Sequence, residues 1–189
     1  MSIRNGLLAL LEQQPMYGYQ LRSAFEQCTG STWPLNIGQV YSTLARLERD
    51  GMIAATDGQT EGQRTYAITE RGRSELQSWF ASPVARDEPP RDELAIKLAL
   101  ALVTPGVDVA DVVQRQRSAT VAALQGYTRL KARADEQDVA WLLVLDSLIF
   151  SAEAEVRWLD HCEARLARRP AAGAQAAPVA ATQAVRSRR

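Results

Sequence analysis

Cysteine and histidine are scarce in this chain of 189 residues, which carries Cys28, Cys162 and a single histidine, His161. With no C-x-x-C pair and one imidazole, a multi-Cys/His zinc cluster is excluded, no metal is expected, and no disulfide framework is written. Net charge is missing too: 22 Lys plus Arg cancel 22 Asp plus Glu. A whole-chain basic field that gathers nucleic acid nonspecifically is therefore absent, and any such partner must be held by local geometry. Long hydrophobic runs are also lacking. The most apolar stretch, Val139 to Phe150, spans about twelve residues and contains Asp146, whereas a bilayer crossing needs roughly 20. It reads as a buried helix, and no membrane is expected as a partner. The opening Met1-Ser2-Ile3-Arg4-Asn5, with its apolar run broken at Glu12, does not follow the charged, apolar, small order of a signal peptide, so a reducing cytoplasm is the expected location. Absent as well are a glycine-rich phosphate loop, a nucleophile–base constellation and metal-ligand spacing, so neither an enzyme nor a cofactor is expected.

What is present is an ordinary globular composition, 46% hydrophobic and 23% charged, long enough for one core or two small ones. Punctuation divides it into three. Pro83 and the Arg86-Asp87-Glu88-Pro89-Pro90 stretch separate residues 1–82 from a helix-rich 83–169, and Pro170 opens an Ala/Gln/Pro segment, 170–189, expected to be a disordered tail. The first part holds 7 Arg and no Lys against 8 acids, and the second 12 basic against 14 acidic residues. The tail has 3 Arg, at 186, 188 and 189, and no acid.

Within 1–82, Ile3, Leu7, Leu8, Leu10 and Leu11 follow helical spacing that must stop before Pro15. A second helix is expected from about Tyr19 to Gln27, with Leu21, Ala24 and Phe25 on one side. For the third, Asn36 can cap the free amides, Gln39 sits three positions on as reciprocal partner, and Gly51 supplies a left-handed stop after Asp50. At about 100° per residue, Ile37, Val40, Tyr41, Leu44 and Leu47 fall within about 120° of arc, opposite Gln39, Ser42, Thr43, Arg46 and Asp50. One face must be buried; the other carries short, hydrogen-bonding side chains of the kind that read base edges and phosphates. Met52–Thr56 and Arg64–Ile68 then form a hairpin around the polar tip from Asp57 to Gln63, and Thr69 caps a fourth helix with Leu76, Trp79 and Phe80. Three helices, a hairpin and a helix are the order of a winged helix-turn-helix, whose third helix enters the major groove. The expected fold is mainly α with a small β-hairpin wing, joined to a C-terminal helical dimerisation domain.

Three blocks carry a more specific signal. Pro15-Met16-Tyr17-Gly18-Tyr19-Gln20-Leu21, the run from Gly38 to Ile53, and Tyr66-Ala67-Ile68-Thr69-Glu70-Arg71-Gly72 together resemble the signature of PadR-family transcriptional regulators, and the second half resembles the longer helical domain of one branch of that family. The resemblance implies a dimeric repressor that binds an inverted-repeat operator in double-stranded DNA and is released by a small-molecule effector. It places the recognition helix at Asn36–Asp50, the family's tyrosines at Tyr17, Tyr19 and Tyr41, and the wing at Thr56–Tyr66. Two departures stand out: Arg64 is followed by Thr65 where relatives carry a second basic residue, and Gln20 replaces a glutamate.

Within that frame, Arg46 is the candidate for bidentate pairing with guanine and Gln39 for adenine. Ser42 and Thr43 are short contacts to phosphate or a thymine methyl, with Asn36 beside them at the DNA-binding face, while Arg49 suits a phosphate contact or a salt bridge and Arg64 phosphate or the minor groove. Tyr17 and Tyr19 can donate hydroxyls to phosphate while their rings pack, and Tyr41 suits core and contact equally. The contrasting reading is a winged-helix protein-interaction module that does not bind DNA, favoured by the near-neutral charge of residues 1–82.

In the second half, Leu94, Leu98 and Leu102 mark a helix ending at Thr104-Pro105-Gly106, and a longer one follows from Val109 to about Ala134. A last helix, from about Asp138 to Ala167, carries Trp141, Leu145, Leu148, Ala152, Val156 and Leu159 at alternating steps of three and four, the expected homodimer seam. Trp79, Trp141, Phe150 and Trp158, with Trp33, are candidates for the wall of a pocket for a small aromatic or apolar effector.

Overall fold

The computed structural model describes residues 3–56, 64–84 and 91–168. The wing tip, most of the linker after Val84 and the tail at 170–189 lie outside the described residues. The folded chain divides into two compact units, Met1–Glu88 with Thr128–Leu148, and Pro89–Tyr127 with Ile149–Arg189.

In the first unit, α1 (Ile3–Gln13), β1 (Met16–Tyr17), α2 (Gly18–Cys28), α3 (Ile37–Arg49), β2 (Ile53–Thr56), β3 (Thr65–Ile68) and α4 (Glu70–Ala81) follow in order. The expected two-stranded hairpin is part of a three-stranded antiparallel sheet ordered β1-β3-β2, because Met16 and Tyr17 pair with Tyr66 and Thr65. Helix α1 lies at the centre, against α2, α3, α4 and β3. Leu7, Leu8, Leu21, Val40, Leu44 and Leu47 have no exposed surface. Each such side chain withdrawn from water contributes about 1.5–3 kcal/mol before entropy is subtracted.

Helix α3 starts and stops where its residues dictate. Asn36 Oδ1 accepts from Gly38 N at 2.8 Å, although the reciprocal bond from Gln39 is absent among the described residues. At the other end Gly51, at φ +71°, lets Met52 N reach Leu47 O and Gly51 N reach Glu48 O, both at 2.9 Å. This is the paired closure that only a left-handed residue permits without strain. The buried arc, however, is Val40, Thr43, Leu44 and Leu47, rotated by about 50° from the expected one. Two expectations are corrected by this rotation. Thr43 is inside, its hydroxyl satisfied by Gln39 O at 2.8 Å; burial costs little because the helix itself supplies the partner. Tyr41 is outside, 43% exposed.

Helices α5 (Glu93–Ala101), α6 (Val109–Lys131) and α7 (Val139–Ala167) follow. Asp92 and Asp108 cap α5 and α6 through Ala95 N and Ala110 N. The second unit has a small core of Leu98, Val113 and Leu159. Between α6 and α7 in that unit, Glu155 accepts from both Thr120 and Gln116, and Arg117 pairs with Asp160. In the first unit, Lys131 pairs with Asp146. No described helix is long and apolar enough to cross a membrane.

The expected α7 seam is a face already occupied within one chain. Leu145 and Leu159 have no exposed surface and Ala152 is buried, while Trp141, Leu148 and Val156 are half-buried. Its steps of three and four serve intramolecular packing, which uses the same periodicity as a helix partner would. Trp141 is seated on the turn after α2, where a Cβ on Gly30 would fall 2.2 Å from its ring.

Candidate nucleic-acid interface

The side chains singled out for nucleic acid gather around α3, and local chemistry determines how each is presented. Gly18 opens α2 without a side chain because Tyr41 occupies that space: a Cβ there would lie 2.7 Å from the Tyr41 ring. Tyr41 then meets Tyr19 edge-on, with ring centroids 6.4 Å apart at 76°, and both rings remain exposed. Tyr17 is half-buried in β1, and its backbone N–H donates to Gln20 Oε1 at 3.1 Å. Gln20 thereby closes the first turn of α2, a task for which a neutral amide oxygen serves as well as a carboxylate. The turn leading to α3 is held by Glu26, which accepts from Arg22 Nε at 3.0 Å and from Leu35 N at 3.2 Å. The hydrogen bond from Arg22 does most to hold this carboxyl below its usual range; desolvation opposes it, and the Leu35 bond and the Arg22 charge reinforce it.

Gln39, Ser42, Arg46 and Arg49 share the exposed side of α3. Arg46 lies back along its own helix, Nε to Ser42 O at 3.3 Å and a terminal nitrogen to Thr43 Oγ1 at 3.4 Å. Both are weak, self-contained bonds that a better acceptor displaces. Arg49 is drawn to Asp50 at 3.5 Å. Arg64, at the base of the wing, is committed to Glu48 at 2.6 Å and lies over the Tyr66 ring at 5.6 Å. Asn36 spends its side-chain oxygen on the cap.

The ion pairs show where six of the eight acids of residues 1–82 spend their charge; Asp57 and Glu61 lie outside the described residues. Each acid described in this segment is matched: Glu12 and Glu70 to Arg73, Glu26 to Arg22, Glu48 to Arg64, Asp50 to Arg4 and Arg49, and Glu75 to Arg4. Among the described residues of the segment, Arg46 and Arg71 are left without a carboxylate. Arg71 stands beside Gly51 at the C-terminal end of α3. Among the described residues, the arginine on the open face without a carboxylate is Arg46.

Comparison with known proteins agrees. Residues 7–78 match the transcriptional regulator PadR-like family, and residues 90–167 match the virulence activator alpha C-terminal family. Residues 7–78 are a PadR-like transcriptional regulator domain. The chain is 27% identical over 180 residues to a probable transcriptional regulator of Mycobacterium tuberculosis, covering 85% of this chain and 95% of that one. It is 26% identical over 170 residues to the negative transcriptional regulator PadR of Bacillus subtilis, covering 84% and 93%. The crystal structure of Bacillus subtilis PadR in complex with operator DNA matches with a TM-score of 0.64 at 26% identity, over 86% of this chain and 97% of that one. The same protein with p-coumaric acid gives 0.66 at 25% identity, over 87% and 98%.

Of the aromatic residues expected around an effector, Trp33, Trp79 and Trp141 belong to the first unit and Phe150 and Trp158 to the second. Trp79 pairs with Phe80 on α4, ring centroids 4.7 Å apart; Trp141 covers Gly30; Phe150 is 65% exposed. Trp33 is exposed. Trp158 lines a groove of about 440 Å³, walled by Leu98, Leu102, Val113, Cys162 and Leu166 from α5, α6 and α7. The rest of that wall is aliphatic apart from Cys162, Arg165 and Arg168, a composition that counting aromatics overlooks.

Proposed function

We propose that this chain, with its PadR-like domain, is a dimeric repressor that reads an inverted-repeat operator through α3 and releases it on binding a small molecule. Residues 1–82 form the reading head, and 83–169 serve dimerisation and effector binding. The observation that carries the reading is the open face of α3: Gln39 and Ser42 exposed beside an arginine that, among the described residues, has no acidic partner, while the described acids of the segment are matched. Arg46 reads guanine and Gln39 reads adenine. Tyr17, Tyr19 and Tyr41 bring hydroxyls to the backbone alongside Asn36, Arg49 and Arg64. Thr43 acts from within, fixing the helix rather than touching the duplex. Operator binding by a relative of similar length, and its complex with a small aromatic acid, support both parts. The name of the negative regulator supports the sign.

Dimerisation belongs to the outward face of α7. Leu143 and Phe150, one heptad apart and each 65% exposed, flank the small residue Ser147, and such a strip is covered most economically by a second copy. The deciding experiment is an electrophoretic shift on the DNA upstream of the chain's own gene, at low and moderate salt. A sequence-dependent shift that Arg46→Ala abolishes or broadens supports the regulator. No shift from the wild type at low salt supports the interaction module instead.

A further inference from the structure

The aliphatic groove of the second unit is not uniform along its length. Its far end is formed by the last turns of α7, where Arg165 and Arg168 line the groove and also line an adjoining depression of about 240 Å³ shared with His161 and Ala164. Arg165 and Arg168 therefore stand at the junction of an apolar trough and a more mixed cleft. Among the described residues neither has a carboxylate partner. Asp160 is committed to Arg117, and the charge of Glu163 acts on Arg117 as well. The partial negative charge at the C-terminal end of a helix favours cations there, which accounts for these two arginines at the end of α7. Their planar forks suit a carboxylate.

From this juxtaposition we infer that the groove is a binding site for an amphipathic monocarboxylate with an aliphatic body. The head is held by Arg165 and Arg168 with His161 as a further donor, and the body lies along Leu98, Leu102, Val113 and Leu166. Charge complementarity at one end selects this occupant over an uncharged apolar molecule, and the trough volume lies within the range of small-ligand sites. Trp158, at the wall, reports occupancy. The inference rests on the effector part of the proposed function and gives that effector a chemical class.

Isothermal titration of the full chain, with no DNA present, compares octanoate with 1-octanol, which has the same body and no charge. Octanoate is expected to bind at least about tenfold more tightly, with a change in tryptophan emission that Trp158→Phe removes. In Arg165→Gln/Arg168→Gln, both positions lying at an exposed helix end, the preference is expected to disappear. Ala99→Trp, which fills the trough, is expected to block both compounds. Equal affinity for the two compounds, no heat with octanoate, or a preference surviving the double substitution overturns the site. So does an Ala99→Trp variant that becomes monomeric by light scattering with no octanoate heat in the wild type, since the groove then belongs to a second copy. Because these readouts need no operator, their failure leaves the regulator reading standing, and a failed operator shift leaves them standing in turn.

Discussion

At the scale of single residues, Arg46 and Arg64 differ by what each must give up to meet a duplex. Arg46 surrenders two long hydrogen bonds to its own helix, whereas Arg64 must leave or share Glu48. Arg46→Ala is expected to relax preference at one operator position, at about 1–3 kcal/mol of discrimination; a binding-site selection measures it, and an unchanged consensus contradicts the assignment. Arg64→Ala is expected to weaken all sequences alike. Glu48→Gln frees Arg64 for phosphate, so affinity at low salt should rise and the slope of log K against log salt should steepen by about one unit. A titration across ionic strengths decides, and a flat response would show that Arg64 never reaches the backbone. Glu26 adds an acid-side prediction. Its folded pKa lies below the ordinary 4.5, so the stability it contributes is fully present above that value and is lost as pH falls from there. Glu26→Gln should therefore flatten the acid limb of a melting curve below pH 4.5, and an unchanged limb would remove Glu26 from the account.

Among elements, those written by punctuation were legible in the sequence. Asn36 and Gly51 bracket α3 because a cap oxygen and a left-handed glycine are local requirements, fixed by neighbours in the chain. Strand β1 was not legible, since two residues have no period and Met16–Tyr17 become a strand only when β3 offers its edge. The rotation of α3 was illegible for a related reason: a threonine that bonds its own helix is as buriable as valine, and a tyrosine over a glycine need not be buried at all. The α7 seam shows the same limit, because periodicity reveals an apolar face without revealing which chain covers it. Gly72 tests the packing of α4: a Cβ there would sit 2.2 Å from Met52 O. Gly72→Ala should cost about 1–3 kcal/mol in a denaturant melt, and a change under about half of that would mean α4 can slide.

For the whole molecule, the proposed dimer would double the few phosphate contacts that one near-neutral reading head can make. Leu143→Glu/Phe150→Glu is expected to give monomers by light scattering with the helical circular dichroism retained, and to lose the operator shift. A persistent dimer would move the interface elsewhere. Burying a charge at Leu145 instead should unfold the chain, which separates a packing face from a partnering one.

The junction of α3, sheet and α4 has a consequence for how such a molecule is switched. Thr69 donates its hydroxyl to Gly51 O at 2.8 Å and its amide to Met52 O at 3.0 Å, and accepts from Gly72 N at 3.2 Å. Helix end, strand end and helix start thus share one rivet, leaving the reading head no internal play. In the proposed dimer, a signal would then alter how far apart two heads stand while leaving each head's taste in sequence intact. An inducer should change the tolerated spacer between operator halves and leave the half-site letters alone.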